Sequence, residues 1–401
     1  MRTGNDRRTA RDSVVAAVLG VLLLGLAACT SSEADDRGGG DGAGNGGPVE
    51  VTITPEDGAT GVATSGELEV TAEGGSLTGV TVTSDEGEEV PGELSEDGAR
   101  WEPSEHLANG AEYTVEAVAE NGDGEEETAT STFTTVEADA TFTTNWNIPD
   151  ESVTGVGMIL SLTFDTPIEN TEAVEDAVRI SADPEVEVRG HWFGNQRLDF
   201  RPQEYWEPGT EVSVSFRLRG VEGAEGVYGT LHEDIGFTIG RSQISTVDVN
   251  TLTMDVVRDG ETIRTLPVTT GAPGYDTWNG KMVITERLTE TRMDGATVGY
   301  GGEYDIPDVP HAMRLSTSGT FIHGNYWSGS STFGNVNASH GCIGLEDVQG
   351  AGDPSTPGAW FFENSLIGDV VEVVNSNDDI IAPDNGLSGW NMDWSDWGAN
   401  E

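Results

Sequence analysis

From Pro48 onward the chain runs in short stretches of alternating apolar and polar residues separated by Gly, Asp and Asn turn signals, a pattern that predicts strands rather than helices. Ile244 to Asn250 and Leu252 to Arg258 both alternate, and Asp259-Gly260 then predicts a tight hairpin into Glu261 to Thr269. Upstream the pattern repeats. Trp101-Glu102-Pro103-Ser104-Glu105 followed by Gly110-Ala111-Glu112-Tyr113-Thr114-Val115 aligns without a gap onto Phe200-Arg201-Pro202-Gln203-Glu204 followed by Gly209-Thr210-Glu211-Val212-Ser213-Val214, at a constant offset of 99 residues. A period of that length built from short strands is the size of an immunoglobulin-like sandwich. Two such modules are therefore expected, at 49–137 and 138–243, each closing on a Thr-rich strand, around Phe133 and Phe237. Neither carries the cysteine pair of antibody domains, so sandwich architecture is the expectation.

Four segments break the alternation. Val14 to Leu26 is apolar and follows a basic stretch with Arg2, Arg7, Arg8 and Arg11; it is too short for a comfortable membrane span. Thr30 to Gly47 is rich in Gly, Ser and Asp, and as a flexible tether it would have a root-mean-square span of roughly 25 Å. Residues 285–315 hold Met293, Tyr300, Tyr304 and Met313 among glycines and prolines, and read as a long loop able to fold over a site. At the end, Trp390, Trp394 and Trp397 are spaced to share one face of a helical turn, and are expected to pack back onto the preceding domain because so much apolar area is costly to expose.

Composition adds where the chain will not bind. The net charge is −52, and loss of residues 1–28 would make it −54; Lys281 is the only lysine. Such a surface excludes electrostatic binding of nucleic acid and is repelled by anionic lipid unless salt screens it. Of the two cysteines, Cys29 follows the apolar stretch at Leu26-Ala27-Ala28 and Cys342 lies far downstream.

Chemistry concentrates around Cys342. Three of the six histidines, His311, His323 and His340, lie in the same window. A thiol attacks as thiolate and needs an imidazole to take its proton, and two are at hand in His323 and His340. If 339–345 is extended, His340 and Cys342 project to one side, their Cα atoms roughly 6.6 Å apart. Gly341 between them would let substrate approach the backbone and leave N–H groups aimed at an oxyanion. An isolated H-x-C also suits a buried cysteine beside a core histidine. Zinc would use the same residue types, but its sites show paired C-x2-C or H-x3-H spacing, which is missing here. His311, after Pro310, reads as an exposed loop residue or a contact of the covering loop. His106, His191 and His232 read as surface or packing residues.

His323, fifteen residues, then Ser339-His340-Gly341-Cys342-Ile343 resembles the signature of the L,D-transpeptidases, cell-wall enzymes with a cysteine nucleophile. The resemblance extends over roughly 244–375: Leu266-Pro267-Val268-Thr269-Thr270-Gly271 and Thr277-Trp278-Asn279-Gly280-Lys281-Met282-Val283-Ile284 look like the family's two recurring segments upstream of the site. By that resemblance Cys342 is the nucleophile, His323 the general base, oriented by the carbonyl of Gly324, and His340 a supporting residue; residue types alone do not choose between the two histidines. Met313, Tyr300 and Tyr304 are candidates for the family's substrate-binding lid. No metal or organic cofactor is implied. One position departs: where the family commonly has Asn or Arg, this chain has Gly344. Gly344→Asn is expected to keep the fold and to change turnover.

Leu26-Ala27-Ala28-Cys29 resembles a bacterial lipobox, in which Cys29 would be lipidated and hold the protein to the outer face of the cytoplasmic membrane. The whole order is similar to actinobacterial L,D-transpeptidases: signal peptide at 1–28, tether at 29–48, two immunoglobulin-like β-sandwiches, a β-rich catalytic domain at 244–375, and a Trp-containing extension at 376–401. A mainly β chain of this kind is expected to join peptidoglycan stem peptides, a donor tetrapeptide and an acceptor amine, into 3→3 cross-links, and to be inhibited by carbapenem β-lactams. The same dyad with water as acceptor would make a carboxypeptidase, and a wall-binding array would share the sandwiches without needing the 323–342 window.

Overall fold

The computed structural model describes residues 48–299 and 301–398. The expectations for the signal, for most of the tether, for Cys29 and for Tyr300 lie outside the described residues.

The first sandwich stacks a sheet of strands Glu50–Thr54, Glu69–Glu73, Arg100–Pro103 and Gly92–Leu94, in that order, on a sheet of Thr60–Val62, Glu126–Thr135, Glu112–Glu120 and Ser76–Ser84. The second sandwich has the same order, strand for strand: Thr144–Trp146, Leu160–Phe164, Arg197–Pro202 and Val188–Phe193 on one sheet, and Ser152–Thr154, His232–Ile239, Glu211–Arg217 and Val178–Asp183 on the other. Trp101 and Phe200, equivalent in the repeat, occupy equivalent strands and are both buried, and so are Tyr113 and Val212. The constant offset therefore measures one sandwich. Each core is built from the inward half of alternating strands, Val70, Val82, Val115 and Phe133 in the first, Leu162, Leu198, Val214 and Phe237 in the second.

The third unit is a nine-stranded sheet in the order Gly280–Val283, Val370–Val374, Gln243–Asp248, Thr253–Arg258, Glu261–Thr269, Ile343–Glu346, Phe321–Asn325, Asp305–Arg314, Glu286–Asp294. The predicted hairpin forms, with Asp259 at φ +49° and Gly260 at φ +84°, the left-handed pair that a two-residue turn needs. Two neighbouring pairs are parallel: Gln243–Asp248 with Val370–Val374, and Phe321–Asn325 with Ile343–Glu346. Helix Pro357–Glu363, capped by the Thr356 hydroxyl, buries Ala359, Phe361 and Phe362.

Residues 285–315 hold a hairpin rather than a long loop, with strands Glu286–Asp294 and Asp305–Arg314 and, between them, a short tip described at 295–299 and 301–304. Pro307 and Pro310 conceal it in the sequence. They are tolerated because Asp305–Arg314 pairs with Phe321–Asn325 only at Met313 and Arg314, so the proline-bearing half has a free edge. Met313 lies on that inner end and is fully buried in the core of the sheet, which removes it from the covering segment. His311 is likewise buried, not an exposed loop residue.

The second sandwich and the nine-stranded domain share packing. Gly155 N–H donates to the Ile367 carbonyl at 2.8 Å and Gly157 N–H to the Gly368 carbonyl at 2.9 Å. A Cβ on Gly155 would lie 2.3 Å from Asp369 N, so only glycine permits the approach. The C-terminal tryptophans complete the joint. They pack on the second sandwich rather than on the domain before them, and do so without a continuous helix. Their rings surround the buried Arg201 guanidinium at 4.8, 5.3 and 4.3 Å for Trp390, Trp394 and Trp397. The indole N–H of Trp390 donates to Gly157 O at 2.8 Å and that of Trp397 to Arg189 O at 2.9 Å. Asn391 meanwhile pairs with both backbone groups of Lys281 in the neighbouring domain.

Trp397 is 1% exposed. Trp397→Ala is expected to cost about 3–5 kcal/mol in chemical denaturation, the range for emptying a large aromatic site; a loss under about 0.5 kcal/mol would mean the extension does not contribute to the fold.

Candidate active site

Parallel register places the key side chains. His323 pairs with Gly344 and Ile322 with Ile343, and Cys342 comes one residue before that strand. His323 is 5% exposed. Its Nδ1 lies 2.8 Å from the Gly324 carbonyl, to which it can only donate, and Nε2 is thereby left as the bare basic nitrogen. Trp327 stacks on the imidazole, ring centroids 5.6 Å apart. Burial pushes His323 below its ordinary pKa, opposed by the Gly324 carbonyl and the charge of Asp347. The Cys342 thiol donates to the Gly319 carbonyl at 3.7 Å, and burial pushes it up to about 11. At neutral pH both groups therefore rest uncharged.

The box before Cys342 is not extended. Gly341 has φ +105°, a conformation side chains rarely adopt, and the strand begins only at Ile343. The Ser339 hydroxyl staples the bend, donating to Cys342 O at 2.5 Å and accepting from Gly341 N at 3.2 Å. Consequently the Gly341 N–H is engaged with Ser339. The His340 ring packs between Tyr275 and Tyr304, at 4.6 and 5.0 Å, and its Nε2 lies 3.1 Å from Glu303 Oε2.

Two surrounding segments hold this arrangement. Thr270 O accepts from the N–H groups of Ala338 and Ser339, Ala272 N–H donates to Ser339 O, and Gly271 bridges Ser339. The 295–304 tip reaches the site at two points. Val298 packs so closely on Gly319 that a Cβ there would lie 2.4 Å from Val298 Cγ1. Glu303 accepts from Tyr275 Oη at 2.9 Å as well as facing His340.

Sequence reasoning missed Trp327, Tyr275, Glu303 and Asp347. Tyr275 and Glu303 lie in loops whose approach depends on the tertiary fold. Asp347 is paired with His311 across 36 residues, and no local pattern marks it.

The chain matches the L,D-transpeptidase catalytic domain family over residues 242–373 and the bacterial Ig domain family over residues 59–222. It is 35% identical over 356 residues to L,D-transpeptidase 2 of Mycobacterium tuberculosis (strain CDC 1551 / Oshkosh), covering 87% of this chain and 84% of that one. To L,D-transpeptidase 5 of Mycobacterium tuberculosis (strain ATCC 25618 / H37Rv) it is 30% identical over 355 residues, covering 86% and 76%. Among solved structures, the LD transpeptidase LdtMt1 in complex with imipenem is similar at 29% identity and a TM-score of 0.48, over 57% of this chain and 97% of that one.

Gly344 has a reason that neither a lost hydrogen bond nor a positive φ supplies. It sits in a regular strand, and a Cβ there would lie 2.8 Å from Thr269 Cγ2. Thr269 cannot rotate freely, because its hydroxyl donates to Val336 O at 2.7 Å and accepts from Ala338 N at 3.1 Å. Gly344→Asn is thus expected to destabilise rather than to keep the fold. Gly344→Ala should cost about 1–3 kcal/mol by overpacking, and Thr269→Ser, which removes Cγ2 and keeps the hydroxyl, should recover most of that in the double variant. Denaturation curves of the four proteins check this, and equal stability of Gly344→Ala and the parent would refute it.

Proposed function

Because the chain belongs to the L,D-transpeptidase family, we propose that it forms 3→3 cross-links between peptidoglycan stem peptides through an acyl-enzyme on Cys342. The observation that supports this is the parallel pairing that sets His323 opposite Gly344, two residues after Cys342, with Nδ1 of His323 committed to Gly324 O. In this reading His323 Nε2 takes the thiol proton as sulfur attacks the carbonyl of the donor tetrapeptide after its diaminopimelate. The tetrahedral intermediate collapses, the terminal D-Ala amine takes the proton from His323, and a thioester remains. The acceptor amine then attacks the thioester and gives its proton to His323, the new amide forms, and sulfur leaves and is reprotonated.

His340 supports the box through Tyr275, Tyr304 and Glu303 rather than by handling the proton. Carbapenems would acylate Cys342 through the strained lactam carbonyl; the imipenem complex of a family member accords with this. Lipidation at Cys29 would hold the enzyme at the outer face of the cytoplasmic membrane, within reach of the wall.

A carbapenem is expected to add once per protein by mass spectrometry, and Cys342→Ser to lose the adduct. With a disaccharide-tetrapeptide the enzyme should yield dimers; trimmed monomers alone would make it a hydrolase, and an unchanged protein mass would sink the acyl-enzyme.

His323→Ala should slow acylation about 10²- to 10⁴-fold at neutral pH. Because the thiol titrates near 11, that variant should keep gaining rate as pH rises well above neutrality, whereas the parent should lose rate only below the ordinary imidazole range, where His323 protonates. If His340→Ala were instead the variant that alkali restores, the two histidines would have exchanged roles.

A further inference from the structure

Behind His323 lies a buried polar cluster that the proposed reaction does not use. The Asp347 side chain is 0% exposed and that of His311 5%. Asp347 Oδ2 accepts from His311 Nδ1 at 2.7 Å, and Oδ1 accepts from the Thr356 hydroxyl and from Val348 N, both at 2.8 Å. The carboxylate is pressed into a slot between two glycines: a Cβ on Gly324 would lie 2.2 Å from Oδ2, and one on Gly358 2.3 Å from it. Gly324 is the residue whose carbonyl holds the His323 imidazole. The fold also accepts a strained backbone to bring the partner in, since His311 has φ +49° inside a strand.

A buried, hydrogen-bonded carboxylate is costly to place, and one seated against the backbone of the base has an electrostatic consequence. On the reading above, attack by Cys342 turns neutral His323 into an imidazolium in a buried site. Proton transfer within that pair is opposed by burial of both partners, so it depends on groups that favour the cation. The Gly324 carbonyl is one. We infer that Asp347, held by His311, Thr356 and the two glycines, is a positioning residue for His323, fixing the Gly324 backbone and supplying the negative charge that balances the imidazolium. This rests on Cys342 and His323 being the reacting pair.

Arg287, on the strand paired with the His311 strand, lies over Phe362 and donates to its carbonyl; the following charged groups have partners of their own or are exposed. On the strand that carries His311, Asp308 accepts from Tyr326 and Gln349, and Arg314 pairs with Glu286. Asp305, at that strand's far end, pairs with Arg292. Glu346, on the Cys342 strand, accepts from Ser330, and Glu363, ending the helix packed on the His323 strand, is exposed.

The test is Asp347→Asn, which is isosteric and keeps acceptors for Thr356 and Val348 while His311 can change tautomer to meet the amide. Two readouts are taken on the full chain from about pH 5 to about pH 9, across the imidazole range: the rate of imipenem acylation, and the titration of His323 followed by NMR on histidine-labelled protein. In the variant the acid limb of the rate and the His323 titration should both move to lower pH, and the plateau should fall by roughly tenfold or more as the charge that favours the cation is lost. A slower plateau with unmoved limb and titration would assign Asp347 a purely structural role and overturn the inference. Should the variant fail to fold, the carboxyl carbon shift of Asp347 in the parent protein decides: an ionised carboxylate at neutral pH supports the inference, and a protonated one overturns it. If the parent is not acylated, the cysteine reading fails, while the His323 titration in the two proteins still judges Asp347.

Discussion

The parallel pairing of Phe321–Asn325 with Ile343–Glu346 is the constraint from which the site follows. Parallel neighbours cannot be joined by a tight turn; they need a crossover of a dozen residues or more. Here the crossover is 326–342, and its length is what the sequence displays as the interval from His323 to the Ser-His-Gly-Cys box. A crossover without a helix needs another anchor, and the backbone of Thr270 to Ala272 provides it by bonding Ala338 and Ser339. The recurring segment that ends at Gly271 thus has a mechanical task, namely to hold the end of the crossover so that Ile343 and Gly344, directly after Cys342, enter the sheet in register with Ile322 and His323.

The nine-stranded domain is steadied from outside by the second sandwich. Val283, at the edge of the sheet, belongs to the sandwich's own hydrophobic core together with Leu387 and Trp390. Asp369, 1% exposed, pairs with Arg241 and accepts from Gln243, which ties the start of the sheet to its last strand. Glycine contacts and the Arg201 clasp act on the same joint, so a sandwich and the C-terminal extension together support the edge of the sheet formed by Gly280–Val283 and Val370–Val374. Lost burial at Trp397 would be felt by two domains at once, because Asn391 binds one and Trp397 the other.

Features fixed by local periodicity were legible in the sequence: the repeated sandwiches through Trp101 and Phe200, the hairpin at Asp259-Gly260, and the β character of the last domain. The interval between His323 and Cys342 carried the family resemblance, but residue types alone left His323 and His340 equivalent as partners of the thiol. Features decided by non-local contacts were not legible. The 286–314 hairpin was hidden by prolines that only a free edge makes harmless. His311 looked like a loop residue because its partner Asp347 is distant in sequence. The Ser-His-Gly-Cys box was read as extended, since a left-handed Gly341 leaves no trace beyond being glycine, and the contacts of His340 with Tyr275 and Glu303 are set by segments distant in sequence. The two glycines of this segment also differ in cause. Gly341 is required by its φ, with nothing closer than 3.7 Å to a Cβ, whereas Gly344 is required by space.

With the Cys342 thiol pushed up to about 11 and the His323 imidazole lowered by burial, neither group carries charge at rest. In the proposed reaction the ion pair exists only while substrate is being attacked, so the rate is governed by what stabilises charge at that moment rather than by a standing thiolate. Desolvation raises the cost of that charge and also strengthens every interaction that offsets it. The same burial that silences Cys342 therefore lets a backbone carbonyl and a carboxylate behind a glycine exert an effect that exposed groups in water would not. A chain carrying −52 overall has no shortage of negative charge, but most of it is solvent-exposed and screened. What distinguishes Asp347 is its place in a buried slot against Gly324, the residue that follows His323.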